Sequence, residues 1–220
     1  MEQLNNTEKL MLCILGKGLT IKKMCSDKIF TCLKLSEVLE WIDEDAIKLD
    51  KKKKITNFNG FNSDRPYLEN VYVELKDGKY KKIQSYIEKF IYSLSNKKSK
   101  KSIQDIIDYL VKYSFVTEVN KKGLLEDKIE YKVSDDITQE IIDGIIKEFN
   151  KENVQDRKTI YLTALLLVSG ILAKYVSKNE LKHINKEIKV LRKEDPNLFV
   201  NEIWNNIFMS EMLTFVASSL

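Results

Sequence analysis

The sequence is short of histidine, arginine, proline and glycine. One histidine, His183, leaves no room for a multi-histidine metal site and little for Ser–His–Asp chemistry. Seven glycines and two prolines are too few for an all-β sandwich or barrel, which consumes turn residues every ten positions or so. No GxGxxG occurs, and no GxxxxGK followed by Ser or Thr, so a glycine-rich phosphate loop is not expected. Three cysteines, Cys13, Cys25 and Cys32, leave one over in any disulfide pairing and form no CxxC. They read as reduced, mostly buried thiols of a cytoplasmic protein. The arginines Arg65, Arg157 and Arg192 leave the rest of the basic charge to lysine.

Long hydrophobic runs are also scarce. Thr159 to Ala173, TIYLTALLLVSGILA, is uncharged for fifteen residues. As a helix it reaches about 22 Å, short of a ~30 Å hydrocarbon layer. It reads as a helix buried on all sides in a protein core. The opening MEQLNNTEKLMLCIL carries acidic residues and no small-residue cleavage site, so no signal peptide is expected.

What is present is a globular composition: 220 residues, 43% hydrophobic, 32% charged, net charge +4. The spacing predicts a short helix at EKLMLCIL with Thr7 as N-cap, and a second at KIFTCLKLSEVLEWI capped by Ser26 or Asp27. A strand, a basic turn at Lys51–Lys54 and a return follow. TNFNGFNSDRPYLEN reads as loop. Further helices are expected from Tyr80 to Leu94, from Ser102 after a basic linker Ser95–Lys101, and from Asp135 or Asp136. Another begins after the cap Asp156, one runs over Ser177–Asp195 with a Ser177–Glu180 capping box, and the last follows Pro196. FVTEV and IEYKV flank a turn at Gly123 and read as a hairpin. The expectation is a mainly α fold: a single globular domain over residues 1–220, built around a buried central helix with a small β-hairpin.

Three stretches of this order resemble the Golgi phosphoprotein 3 family. They are TEKLMLCIL, SDKIFTCLKLSEVLEWIDEDAIKLD and DRKTIYLTALLLVSGILAKYVSKNELKHINKEIKVLRKEDP. The last resembles the family's "D-x-R-T…LL-x-L" core helix and the charged helix after it, which ends in Asp-Pro. The resemblance implies a non-enzymatic peripheral membrane protein that binds phosphoinositide headgroups, phosphatidylinositol 4-phosphate in eukaryotic members. No cofactor, metal or catalytic residue is implied. The implied partners are an anionic phospholipid surface and cytosolic tails of membrane proteins, with no nucleic acid. The implied location is cytoplasmic and membrane-associated, at the Golgi only in a eukaryote. By the same resemblance the headgroup lysines are Lys34 of the second helix and Lys100, with Lys101 beside it. Ile103 and Cys25 stand near where the family carries Arg and Trp. An apolar hairpin tip inserts into the bilayer in the family.

The residues themselves point the same way. Lys97, Lys98, Lys100 and Lys101 precede a helix whose N-terminus favours anions. At the hairpin, Lys121 and Lys122 sit beside Leu124 and Leu125, a combination suited to an interfacial wedge. Two other readings compete. Ile103–Val133, a helix then a hairpin, could belong to a winged-helix nucleic-acid binder, although Asp105 and Asp108 would face phosphates. A protein-interaction adaptor would use Tyr67, Tyr72 and Tyr80 as exposed anchors.

Overall fold

The computed structural model describes residues 4–25, 27–50, 54–59, 63–91, 96–121, 128–152, 154, 156–195, 201 and 203. The fold is mainly α, with two small antiparallel β-hairpins. In chain order the elements are α1 (Asn6–Gly16), α2 (Ile21–Met24), α3 (Asp27–Asp43), β1 (Ile47–Leu49), β2 (Ile55–Phe58), α4 (Pro66–Lys76), α5 (Ile83–Ile91) and α6 (Asn96–Lys112). Then come β3 (Val116–Lys121), β4 (Lys128–Val133), α7 (Asp135–Phe149), α8 (Arg157–Val168), a 3-10 turn (Leu172–Lys174) and α9 (Lys178–Glu194). No helix among the described residues is long and apolar enough to cross a membrane.

The centre is a trio of mutually packed helices, α1, α3 and α8. In α8, Ile160 through Leu166 are all buried, as an uncharged sequence demands. Asp156 starts that helix, its carboxylate accepting from the Lys158 and Thr159 amides. The helix ends earlier than the apolar run, at Val168. Gly170, at φ +76°, turns the chain in a region closed to most side chains, and Ile171 and Leu172 then fold back into the core. Helix α1 is buried from Leu10 to Leu15, and α3 from Ile29 to Trp41. The buried helix expected at the centre is α8, and α1 and α3 pack against it.

The local reason for α1 differs from the expected one. Asn5, not Thr7, is the N-cap: its side chain accepts from the Glu8 amide while Glu8 accepts from the Asn5 amide. Thr7 is fully buried in the first turn. The stretch read as loop holds β2 and the opening of α4. Pro66 opens α4 at its first turn, where the missing N–H is harmless, and Leu68, Val71, Tyr72 and Leu75 form its buried stripe. The supposed linker is likewise helical, since α6 begins at Asn96 and carries Lys97 to Lys101 as its first turns. Ser102 lies inside that helix. Helix α7 takes Ser134 as its cap residue, with Asp135 and Asp136 in its first turn.

The second hairpin matches the expected pattern, with Val116 opposite Val133 and Lys121 opposite Lys128. It packs against α1 and α6. Where α1 ends, Gly16 meets the segment after the 3-10 turn. A Cβ there would lie 2.7 Å from the Tyr175 hydroxyl and 2.9 Å from Thr138 Cγ2. That hydroxyl donates to the Cys13 carbonyl at 2.7 Å. Gly16→Ala is therefore expected to cost ~1–3 kcal/mol through overpacking, measurable as a lower denaturation midpoint in urea.

Candidate functional site

Helix α3 is buried along most of its length, and Lys34 shows what that does to a charged side chain. Lys34 is 5% exposed. Its ammonium donates to both carboxylate oxygens of Glu37, at 2.9 and 2.8 Å. Burial pushes the Glu37 carboxyl up to about 7; Lys34 opposes the rise, while Glu74 and Asp105 add to it. A phosphate brought to Lys34 would meet three carboxylates. The placement of Lys34 as a surface headgroup ligand is corrected on this ground: α4 and α5 pack on α3, and the charge is committed to an interior pair.

The other sequence-named lysines of this group are on the surface. Lys97, Lys98, Lys100 and Lys101 are all exposed on the first turns of α6. The first turn holds no acidic residue. Lysines there oppose the positive end of the helix dipole, so the helix is weakened by its own sequence and an approaching anion relieves the repulsion.

A second basic segment joins them. Helix α2 packs on α6. It begins at the cap Thr20, whose hydroxyl accepts from the Lys23 amide. Lys22 and Lys23 are exposed on it, and Met24 anchors it in the core. Burial pushes the Cys25 thiol up, and Lys100 opposes the rise, so Lys100 lies within electrostatic reach of the residue that ends α2. Two segments far apart in sequence, each carrying exposed lysines, are thus packed side by side. Lys22 and Lys23 were missed by sequence reasoning. The visible signal was a Lys-Lys pair flanked by Ile21 and Met24, the pattern of a short helix with one face outward.

At the second hairpin, Lys121 is exposed and its ammonium lies 2.7 Å from Glu130 on the neighbouring strand, so its charge is partly neutralised. Lys122, Leu124 and Leu125 lie outside the described residues.

The aromatic anchors of the adaptor reading are corrected. Tyr67 is 2% and Tyr72 7% exposed. The Tyr67 hydroxyl donates to Glu8, and the Tyr72 hydroxyl donates to the Asn59 carbonyl. Both rings are spent on the core. Tyr80 is half-buried and stacks edge-on against Tyr86. His183 lies against the Phe149 carbonyl at 2.9 Å. Among the described residues no group of His, Cys, Asp and Glu is arranged to hold a metal ion.

The arrangement can attract and hold an anion at a helix start through six point charges. Lysines lack the planar fork that fixes the orientation of a bound phosphate, so the surface is suited to electrostatic docking rather than to fine headgroup selection. No protein-family model and no curated protein matches the chain.

Proposed function

We propose that this protein is a non-enzymatic, peripheral binder of anionic phospholipid headgroups, as its resemblance to the Golgi phosphoprotein 3 family implies. The observation that supports this reading best is the packing of α2 on α6, with Lys22 and Lys23 exposed on one helix and Lys97, Lys98, Lys100 and Lys101 exposed on the other. Near an anionic surface each lysine contributes about 1 kcal/mol, falling off within a Debye length. About 6 kcal/mol of gross attraction is offset by association costs of similar size, which makes the docking reversible and salt-sensitive. In this reading Leu124 and Leu125 add apolar contact where the hairpin meets the bilayer.

The test is co-sedimentation with vesicles that differ only in headgroup, at low and physiological salt. A variant with Lys97, Lys98, Lys100 and Lys101 all changed to Glu is expected to lose binding to anionic vesicles. Because the change removes like charge from the positive helix end, the same variant is expected to be more stable, by ~0.3–1 kcal/mol for each first-turn substitution. Its thermal midpoint should rise by about 2–4 °C for each kcal/mol gained. Undiminished sedimentation of the variant with anionic vesicles at low salt would remove the reading. Changing Lys34 is not a usable probe, since it strands Glu37 in the core and reports on folding instead.

A further inference from the structure

Helix α9 carries a second cationic feature of different shape. Lys178, Lys182, Lys186, Lys189 and Lys193 recur at intervals of four, four, three and four residues, and all five are exposed. At 3.6 residues per turn they fall within an arc of about 80° and form a line ~22 Å long. The acidic residues Glu180, Glu187 and Glu194 follow every seventh position on a separate face. The apolar face, with Ile184 and Ile188 buried and Leu181 and Leu191 packed on the core, is used against α7, α8 and the 3-10 turn. No carboxylate lies within ion-pair distance of any of the five lysines among the described residues. Like charges one turn apart repel, so the line works against the helix that bears it.

We propose that the outer face of α9 binds the phosphate backbone of duplex nucleic acid without reading its sequence. The shape selects the partner. A line of charge fits a rod-like polyanion, and at one phosphate per ~3.4 Å of each strand, ~22 Å faces about six phosphates. The arc holds no apolar side chain that could enter a bilayer, because the apolar face of α9 is already in the core. It holds no aromatic ring on which single-stranded bases could stack. Its charged groups are lysine ammoniums throughout, which neutralise phosphates but lack the bidentate pairing that distinguishes bases. The helix belongs to a different packing group from the α2–α6 pair: α9 packs on α7 and α8, and α2 on α6.

The experiment is fluorescence anisotropy of a labelled duplex of arbitrary sequence, titrated with the full chain at several salt concentrations. Five lysine–phosphate contacts give a slope of about −4.5 in log affinity against log salt, an affinity loss of about 500-fold between ~50 and ~200 mM. With Lys182→Gln, Lys186→Gln and Lys189→Gln together, two contacts remain, and the loss over the same range shrinks to about 12-fold. These side chains are exposed and make no ion pair among the described residues, so the variant is expected to keep the wild-type circular dichroism spectrum. A variant with Lys97, Lys98, Lys100 and Lys101 changed to Gln is expected to keep the duplex affinity. The proposal is overturned if the wild type does not bind the duplex at ~50 mM salt, or if the α9 variant keeps the wild-type slope. It is equally overturned if the α6 variant abolishes duplex binding, or if the α9 variant loses anionic vesicles while retaining the duplex. Failure of the vesicle assay alone touches the membrane reading and leaves this one standing.

Discussion

Replacing Glu8 by alanine is expected to lower the free energy of unfolding by ~3–5 kcal/mol, the cost of removing one partner from a buried ion pair. The carboxylate joins the start of α1 to α4. One oxygen accepts from Arg65 Nε and from the Tyr67 hydroxyl, both at 2.8 Å, and the other accepts from the Asn5 amide at 2.8 Å. The Asn5 side-chain amide in turn donates to the Tyr67 hydroxyl at 2.9 Å. Arg65 is itself mostly buried, and its guanidinium lies over the Tyr109 ring. Glu8→Ala therefore removes an ion pair and two hydrogen bonds, one of which is half of the capping box. Glu8→Gln keeps an acceptor for Tyr67 or Asn5 and should cost less. The double change Glu8→Met with Arg65→Met should cost less than the sum of the single changes, because no charge is left buried. Urea unfolding measures all of these. A Glu8→Ala protein within ~1 kcal/mol of wild type would show that the network does not hold α1 to α4.

The second large effect concerns pH. Glu40 is buried on α3, and its carboxylate accepts from the Asn6 amide at 2.7 Å, at the N-terminal end of α1. Burial pushes its carboxyl up to about 7 from an ordinary value near 4.5; the Asn6 hydrogen bond opposes the rise, and Asp43 adds to it. The folded state therefore holds the proton more tightly than the unfolded chain does. The stability this group contributes is fully present below about 4.5 and is lost as pH rises through about 7. The loss for Glu40 is at most ~3–4 kcal/mol, at about 1.4 kcal/mol for each pH unit between the folded and unfolded values. Glu37 moves in the same direction, and Asp43 is also raised, chiefly by burial. Glu40→Gln keeps an oxygen for the Asn6 amide and removes the ionisation. It is expected to stabilise the protein at pH ~8 by ~2–3 kcal/mol and to leave it nearly unchanged at pH ~5. Parallel slopes for wild type and variant between those two pH values would contradict this account.

Much of the architecture was legible because the signals are local. The Ser177–Glu180 box is a reciprocal pairing of two side chains with two amides three residues apart, and it forms wherever a helix starts there. Asp156 and the alternation across Val116–Val133 are of the same kind. Where expectation and structure part, a local signal was ambiguous. Asn5 and Thr7 are both capping residue types, and the choice of Asn5 goes with Glu8 three residues later. Pro66 punctuates loops but also opens helices, and the spacing Leu68, Val71, Tyr72, Leu75 favoured the second role. The lysine run before Ser102 holds no Gly or Pro, and lysine is a good helix former.

The candidate site was less legible. Lys100 sits in a run of lysines and serines that marks a wet surface, whereas Lys34 lies between Leu33 and Leu35, and nothing within a turn of it says whether its charged end reaches water. Lys34 has Glu37 three residues on, a pairing that serves equally on a surface or in a core. The helix that carries it is packed by α4 and α5, which lie well downstream in the chain. Lys22 and Lys23 gain meaning only because α2 packs on α6.

From its sequence alone, then, this protein is a helical domain with an uncharged inner helix, a charged outer one after it and a hairpin before both, because backbone capping and apolar periodicity act within a few residues. Which charges face water was decided by tertiary packing. A charge is expensive to bury unless a partner is brought to it, and at Lys34 and Glu37 the covering helices come from elsewhere in the chain.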